Sequence, residues 1–160
     1  MNVLFLCTGN SCRSVLGEAI FNHFAPAGWH AISAGSHPTG QVHPYSLKVL
    51  QLKGVATEGL SSKSWDNLPI TPDIVITVCS SAANETCPLY LGKAIRTHWG
   101  LDDPASVAGS EEEILKVFEQ TFETLSKGIN AFFQLPLNEI QHQPELLQQK
   151  LDFIGQHYFN

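Results

Sequence analysis

Short, nearly continuous apolar runs alternate with longer stretches in which apolar residues recur every three or four positions. Val3–Leu6 is the first run, β-branched and aromatic, and the polar loop from Cys7 to Arg13 ends it. Its lack of alternation predicts a strand covered on both faces. Leu16, Ala19, Ile20 and Phe24 then fall at helical spacing, predicting a helix over Ser14–Phe24 that Pro26 and Gly28 stop. Trp29–Ala34 reads as a second strand ended by Gly35. Pro38, Gly40 and Pro44 mark a loop, and Tyr45–Leu52 reads as a helix closed by Gly54. Glu58–Pro72 has no clear period and is read as an irregular connection. Asp73–Val78 carries the strongest strand signal, and Ala94–Trp99 is a fourth candidate. Between them, Ser80–Gly92 is polar and small, as in a loop. Ser110 followed by Glu113 reads as a capping box, opening a long helix with Phe118, Phe122, Leu125, Ile129 and Phe132 on one face. Pro136 ends it, and Pro144–Tyr158 is a further helix.

Strands alternating with helices predict an α/β fold of three layers. A four-stranded parallel sheet is flanked by helices on both faces. Residues 1–135 form the catalytic domain in this reading, with 136–160 a helical extension packed on it. Ligands of such sheets sit at the carboxyl ends of the strands. The order of elements therefore brings Cys7, just past the first strand, and Cys79, just past the third, to one edge.

Composition narrows the picture. The 160 residues are 43% hydrophobic and 15% charged, as in a globular domain with a substantial core. The net charge of -6 argues against nucleic acid or an anionic membrane as partner. An anionic substrate must then be held by a local positive site. The N-terminal apolar run is too short for a signal peptide, so a cytoplasmic protein is expected. In that reducing setting, four cysteines point to catalysis, redox exchange or metal binding rather than to a disulfide framework.

The loop Cys7-Thr8-Gly9-Asn10-Ser11-Cys12-Arg13-Ser14 carries the chemistry. A turn from strand to helix aims successive backbone N–H groups at one point, where they bind a tetrahedral anion with help from the helix dipole. Gly9 is expected to take the unusual backbone angles. Arg13 can grip two anion oxygens at once. The same donors should lower the Cys7 pKa and make its thiolate the nucleophile. Ser14 can donate to the Cys7 sulfur as it leaves. The plainer alternative is a buried, inert Cys7. Cys12 is read as structural, its side chain turned from the anion, with a protective disulfide to Cys7 as the lesser reading.

This loop, with Val3–Leu6 before it, resembles the low-molecular-weight protein tyrosine phosphatase superfamily. The resemblance covers about Met1 to Phe133. It implies that Asp103, in Asp102-Asp103-Pro104, is the general acid. Cys79, Cys87-Pro88 and His98-Trp99-Gly100 resemble its thioredoxin-coupled arsenate reductase branch, which carries two extra cysteines after the third strand. Ala105 stands where the phosphatases tend to have an aromatic residue. The branch implies a relay: Cys7 attacks arsenate, Cys79 attacks Cys7, Cys87 attacks Cys79, and thioredoxin reopens the last disulfide. Glutaredoxin with glutathione, or mycothiol, would serve as alternative reductant. Seven residues separate Cys79 from Cys87, one more than in some members of the branch. A longer loop closes at little extra entropic cost. Two unrelated thiols or a metal site are the other readings of this pair.

The family also implies a monovalent cation such as potassium under the loop in some members. Asn10, Glu18, Ser33 and Asp66 match its ligands. Their alternative role is hydrogen bonding that stiffens the loop. No other cofactor is required. Two further functions share the loop: hydrolysis of phosphotyrosine, and an anion-sensing module without turnover.

Overall fold

The computed structural model describes residues 1–79 and 94–159. The expected loop Ser80–Gly92, with Cys87 in it, lies outside the described residues. Strand β1 (Asn2–Cys7) pairs in parallel with β2 (His30–Gly35) on one side and with β3 (Ile74–Thr77) on the other. Strand β4 (Ile95–His98) pairs in parallel with β3. The order is β2-β1-β3-β4. Val3 through Cys7 are all buried, as a central strand covered on both faces requires.

Helix α1 (Arg13–Phe24) packs on β1 and β2. The long helix α3 (Glu111–Phe133) crosses α1, and α5 (Pro144–Tyr158) packs on α3 and β4. Helix α2 (Pro44–Leu52) lies against α1 and α3, and the short α4 (Leu137–Ile140) leads into α5. Pro44 differs from its expected place in the loop: it is the first residue of α2, where a missing N–H costs nothing. Trp29 falls just outside β2, buried, with its ring edge-on to Phe132. Trp65–Asn67, in the irregular stretch, forms one 3-10 turn.

The periodic residues of α3 point inward as their spacing requires: Phe118, Phe122, Leu125, Ile129 and Phe132 are buried. Burial of each such side chain contributes about 1.5–3 kcal/mol. Ser110 caps α3 by accepting from the Glu113 N–H at 3.2 Å. The Glu113 side chain itself lies over Gly109, whose lack of a Cβ makes room for it.

Residues past 136 complete the core around Trp99. The Trp99 indole N–H donates to the Leu151 carbonyl at 3.1 Å, and its ring stacks on Phe159 at 5.1 Å. Gly155 lets α5 close on the sheet, since a Cβ there would come within 2.6 Å of the His98 carbonyl. This packing bears on the site, because Trp99 leads directly into Leu101 and Asp103. Among the described residues, no helix is long and apolar enough to cross a membrane.

Candidate active site

The site forms where β1 gives way to α1. Around the loop, carbonyls are drawn outward and held there. His37 N–H donates to Thr8 O at 2.9 Å, Thr39 N–H to Gly9 O at 3.0 Å, and His43 N–H to Ser11 O at 3.0 Å. The hydroxyls of Ser46 and Ser62 add bonds to Ser11 O and Gly9 O. With the carbonyls turned out, the amide groups of the same peptides face the other way, toward Cys7. The N-cap of α1 is Cys12, which makes no side-chain capping bond. No acidic residue occupies the first turn. These first-turn donors are therefore left for an anion.

The backbone kink sits one residue away from its expected place. Asn10, not Gly9, has the left-handed angle, with φ 47°. Asparagine is among the non-glycine residues that adopt this region most readily. Its side chain fixes it there: Nδ2 donates to Ser14 Oγ at 2.8 Å, and Oδ1 accepts from the Lys63 N–H at 2.8 Å. Asn10 is completely buried. Gly35, at the end of β2, is needed for a close approach: a Cβ there would lie 2.9 Å from Cys7 O and closer still to Thr8 O.

Arg13 is the positive group at this edge. Its Nη1 donates to Leu101 O at 2.9 Å, and Nη2 stands 3.9 Å from the Asp103 carboxylate. Its Nε is buried with no hydrogen-bond partner among the described residues. An orphaned buried donor on a guanidinium is what an incoming oxyanion would satisfy. Asp103 is 44% exposed and caps the 3-10 turn Pro104–Ser106 through the Ala105 N–H at 3.0 Å. Ser14 is fully buried beneath the loop. Because its oxygen accepts from Asn10, its hydroxyl proton is left to donate.

The two cysteines meet, as the strand order demands. Cys79 Sγ accepts from the Thr8 N–H at 3.3 Å and lies 3.5 Å from the Thr8 hydroxyl. Its hydrogen bond with Cys7 is the largest influence on the nucleophile, and it raises the Cys7 pKa. Burial raises it further, while Arg13 and the Gly9 N–H pull it down. The expected low pKa is therefore not found in this arrangement. The physical reason is that Cys7 faces another thiol, and the Arg13 guanidinium is shared with Leu101 and Asp103. Cys12 is buried, and burial pushes its thiol up too. Its sulfur lies 3.6 Å from Ser11 Oγ. Cys87 lies outside the described residues.

The cation ligands do not assemble. Glu18 accepts from the Ser33 hydroxyl at 2.6 Å, and the Lys63 ammonium stands 3.6 Å from the same carboxylate oxygen. Asn10 Oδ1 is spent on Lys63. Asp66 is exposed and turned onto Ser64, 3.2 Å from its hydroxyl. This donor set already holds a positive charge and does not fit potassium. Among the described residues, no group of three or more His, Cys, Asp or Glu could hold a metal ion. Lys63 is the residue whose role sequence reasoning missed. It lies in an aperiodic stretch, and the signal was Glu18, the one acidic residue of α1, set among the apolar Leu16, Ala19 and Ile20.

The sequence profile of the Low molecular weight phosphotyrosine protein phosphatase family matches residues 2–145. An arsenate reductase of Shouchella clausii is 35% identical over 134 residues, which cover 81% of this chain and 93% of that protein. Among solved structures, a thioredoxin-dependent arsenate reductase of Corynebacterium glutamicum superposes with a TM-score of 0.54 at 28% identity, over 81% of this chain and 61% of that one. A low molecular weight protein tyrosine phosphatase from T. tengcongensis superposes with a TM-score of 0.68 at 27% identity, over 84% and 98%.

Proposed function

The chain belongs to the low molecular weight phosphotyrosine protein phosphatase family, and from that premise we propose that it reduces arsenate to arsenite through a relay of three cysteines. The observation that carries this reading is the second thiol in the pocket: Cys79 Sγ, held on the Thr8 N–H at 3.3 Å and hydrogen-bonded to Cys7. A hydrolase needs water at that position, whereas a reductase needs a sulfur. The likeness to curated arsenate reductases supports the same choice.

Arsenate enters as a dianion and is gripped by the loop N–H groups and Arg13. The Cys7 sulfur attacks arsenic. One arsenate hydroxyl takes a proton from Asp103 and leaves as water, and the proton given up by the Cys7 thiol restores the Asp103 carboxyl group. That route needs no standing Cys7 thiolate, which agrees with its raised pKa. Cys79, as thiolate, then attacks the Cys7 sulfur. The S–S bond forms, the S–As bond breaks, and its electron pair stays on arsenic, which leaves as arsenite after taking up protons. Ser14 donates to Cys7 as that sulfur becomes a leaving group. Cys87 next attacks Cys79, freeing the Cys79 sulfur from Cys7 and moving the disulfide to Cys79–Cys87, with Cys7 released as a thiol. A dithiol protein of the thioredoxin type reopens it by exchange, in keeping with a cytoplasmic setting.

Phosphate fits the same cradle, so weak hydrolysis of aryl phosphates should accompany the main reaction. In Cys79→Ser, arsenite formation over many turnovers should fall to background while aryl phosphate hydrolysis persists. Undiminished turnover with thioredoxin and its reductase would overturn the relay.

A further inference from the structure

We propose that Lys63 is a tethered cation, a positioning residue whose ammonium takes the place of a dissolved monovalent ion and makes the loop's grip on oxyanions independent of potassium. The inference rests on the loop being an oxyanion site, though not on the choice between arsenate and phosphate.

Lys63 reaches the loop by two arms. Its backbone N–H donates to Asn10 Oδ1 at 2.8 Å, and Asn10 is the buried residue whose positive φ shapes the loop. Its ammonium stands 3.6 Å from Glu18 Oε1 and donates to Ser61 O at 3.1 Å. Glu18 lies on α1 one turn beyond Ser14, and Ser14 is itself tied to Asn10 at 2.8 Å. The Lys63 carbonyl also accepts from the Gly35 N–H at 2.9 Å, which secures the end of β2 beside the loop. One residue thus joins the β2 end, the loop kink and the underside of α1.

Charge explains why a cation is needed there. Glu18 is only 9% exposed. A buried carboxylate must have compensating charge or strong donors. Ser33 supplies one donor, and Lys63 supplies the charge. An ammonium group resembles a potassium ion in size and charge but cannot diffuse away. An uncompensated Glu18 would also oppose an anion bound one turn above it, because the low dielectric between them strengthens the repulsion.

The test measures inorganic phosphate binding by calorimetry to the wild-type chain, Lys63→Arg and Lys63→Met. Each is titrated in potassium chloride and in choline chloride at equal ionic strength. Wild type and Lys63→Arg should bind equally well in both salts. Lys63→Met should bind about tenfold more weakly in choline chloride, a loss of about 1.4 kcal/mol, and recover most of it in potassium chloride. If Lys63→Met does not fold in choline chloride, Glu18→Gln combined with Lys63→Met should fold and be blind to potassium. A Lys63→Met protein that binds like wild type in choline chloride would overturn the proposal. So would a wild type that needs potassium, or a double variant that stays unfolded or potassium-dependent. Wild type binding no phosphate in either salt would remove the oxyanion reading along with it.

Discussion

Two helix N-termini in this molecule are built in opposite ways. Helix α3 begins at Ser110, whose hydroxyl oxygen accepts from the Glu113 N–H, and Glu111, Glu112 and Glu113 fill its first turn. Its positive end is neutralised within its own sequence. Helix α1 begins at Cys12 without a side-chain cap, has no acid in its first turn and starts on Arg13. Its positive end is reinforced. The first arrangement stabilises a helix on the surface. The second leaves the helix end without a side-chain cap beside a half-buried guanidinium whose Nε has no partner among the described residues, and that costs stability unless an anion completes it. The difference leaves the α1 end, and not the α3 end, able to take an anion.

Removing the reinforcement should break the contrast most severely. Arg13→Lys keeps a positive charge but loses the planar fork. We expect kcat/KM for arsenite formation to fall by about 100- to 1,000-fold, as for loss of a preorganised donor in the transition state. Phosphate affinity by calorimetry should fall in parallel. Near-normal kcat/KM in the Arg13→Lys enzyme would show that the bare helix end and a point charge suffice.

A smaller effect concerns the thiol that uses the loop's Thr8 N–H. Cys79→Ala removes the largest influence raising the Cys7 pKa. The sign is then downward: Cys7 should become thiolate at lower pH than in the wild type. The pH profile of Cys7 alkylation by iodoacetamide, read by mass spectrometry, should shift to lower pH. An unchanged profile would mean that burial, not Cys79, governs Cys7.

The smallest expected effect lies at the other helix. Ser110→Ala deletes the α3 cap and should cost about 1 kcal/mol, or about 2–4 °C in Tm for a chain of this size. Phosphate binding and turnover should not change. A matching loss of affinity would show that the two termini are coupled.

Much of this was legible in the chain because it is local. Apolar runs without alternation located β1 and β3, and the alternation of elements led to the sheet. From the sheet, Cys7 and Cys79 had to share an edge. The period of Phe118, Phe122, Leu125, Ile129 and Phe132 located α3. The loop from Cys7 to Ser14 pointed to the proposed anion site through residue types at fixed spacing. The kink was misplaced onto Gly9, because glycine is the general solution for positive φ. Asn10 adopts it only because Ser14 and Lys63 hold both ends of its amide.

What the sequence determined by itself was therefore the element order, the sheet edge where Cys7 and Cys79 meet, and the loop proposed to bind an oxyanion. Tertiary structure decided what each group faces. It set Cys79 against Cys7 and so reversed the expected pKa direction. It turned Arg13 toward Leu101 and Asp103, 88 residues away for the Leu101 bond. It brought Lys63 to Glu18, where the sequence left a free cation and loop-stiffening hydrogen bonds both open. The physical reason is the same in each case. Local pattern records how a residue relates to its own element, but charge, proton sharing and desolvation depend on neighbours that arrive from distant parts of the chain.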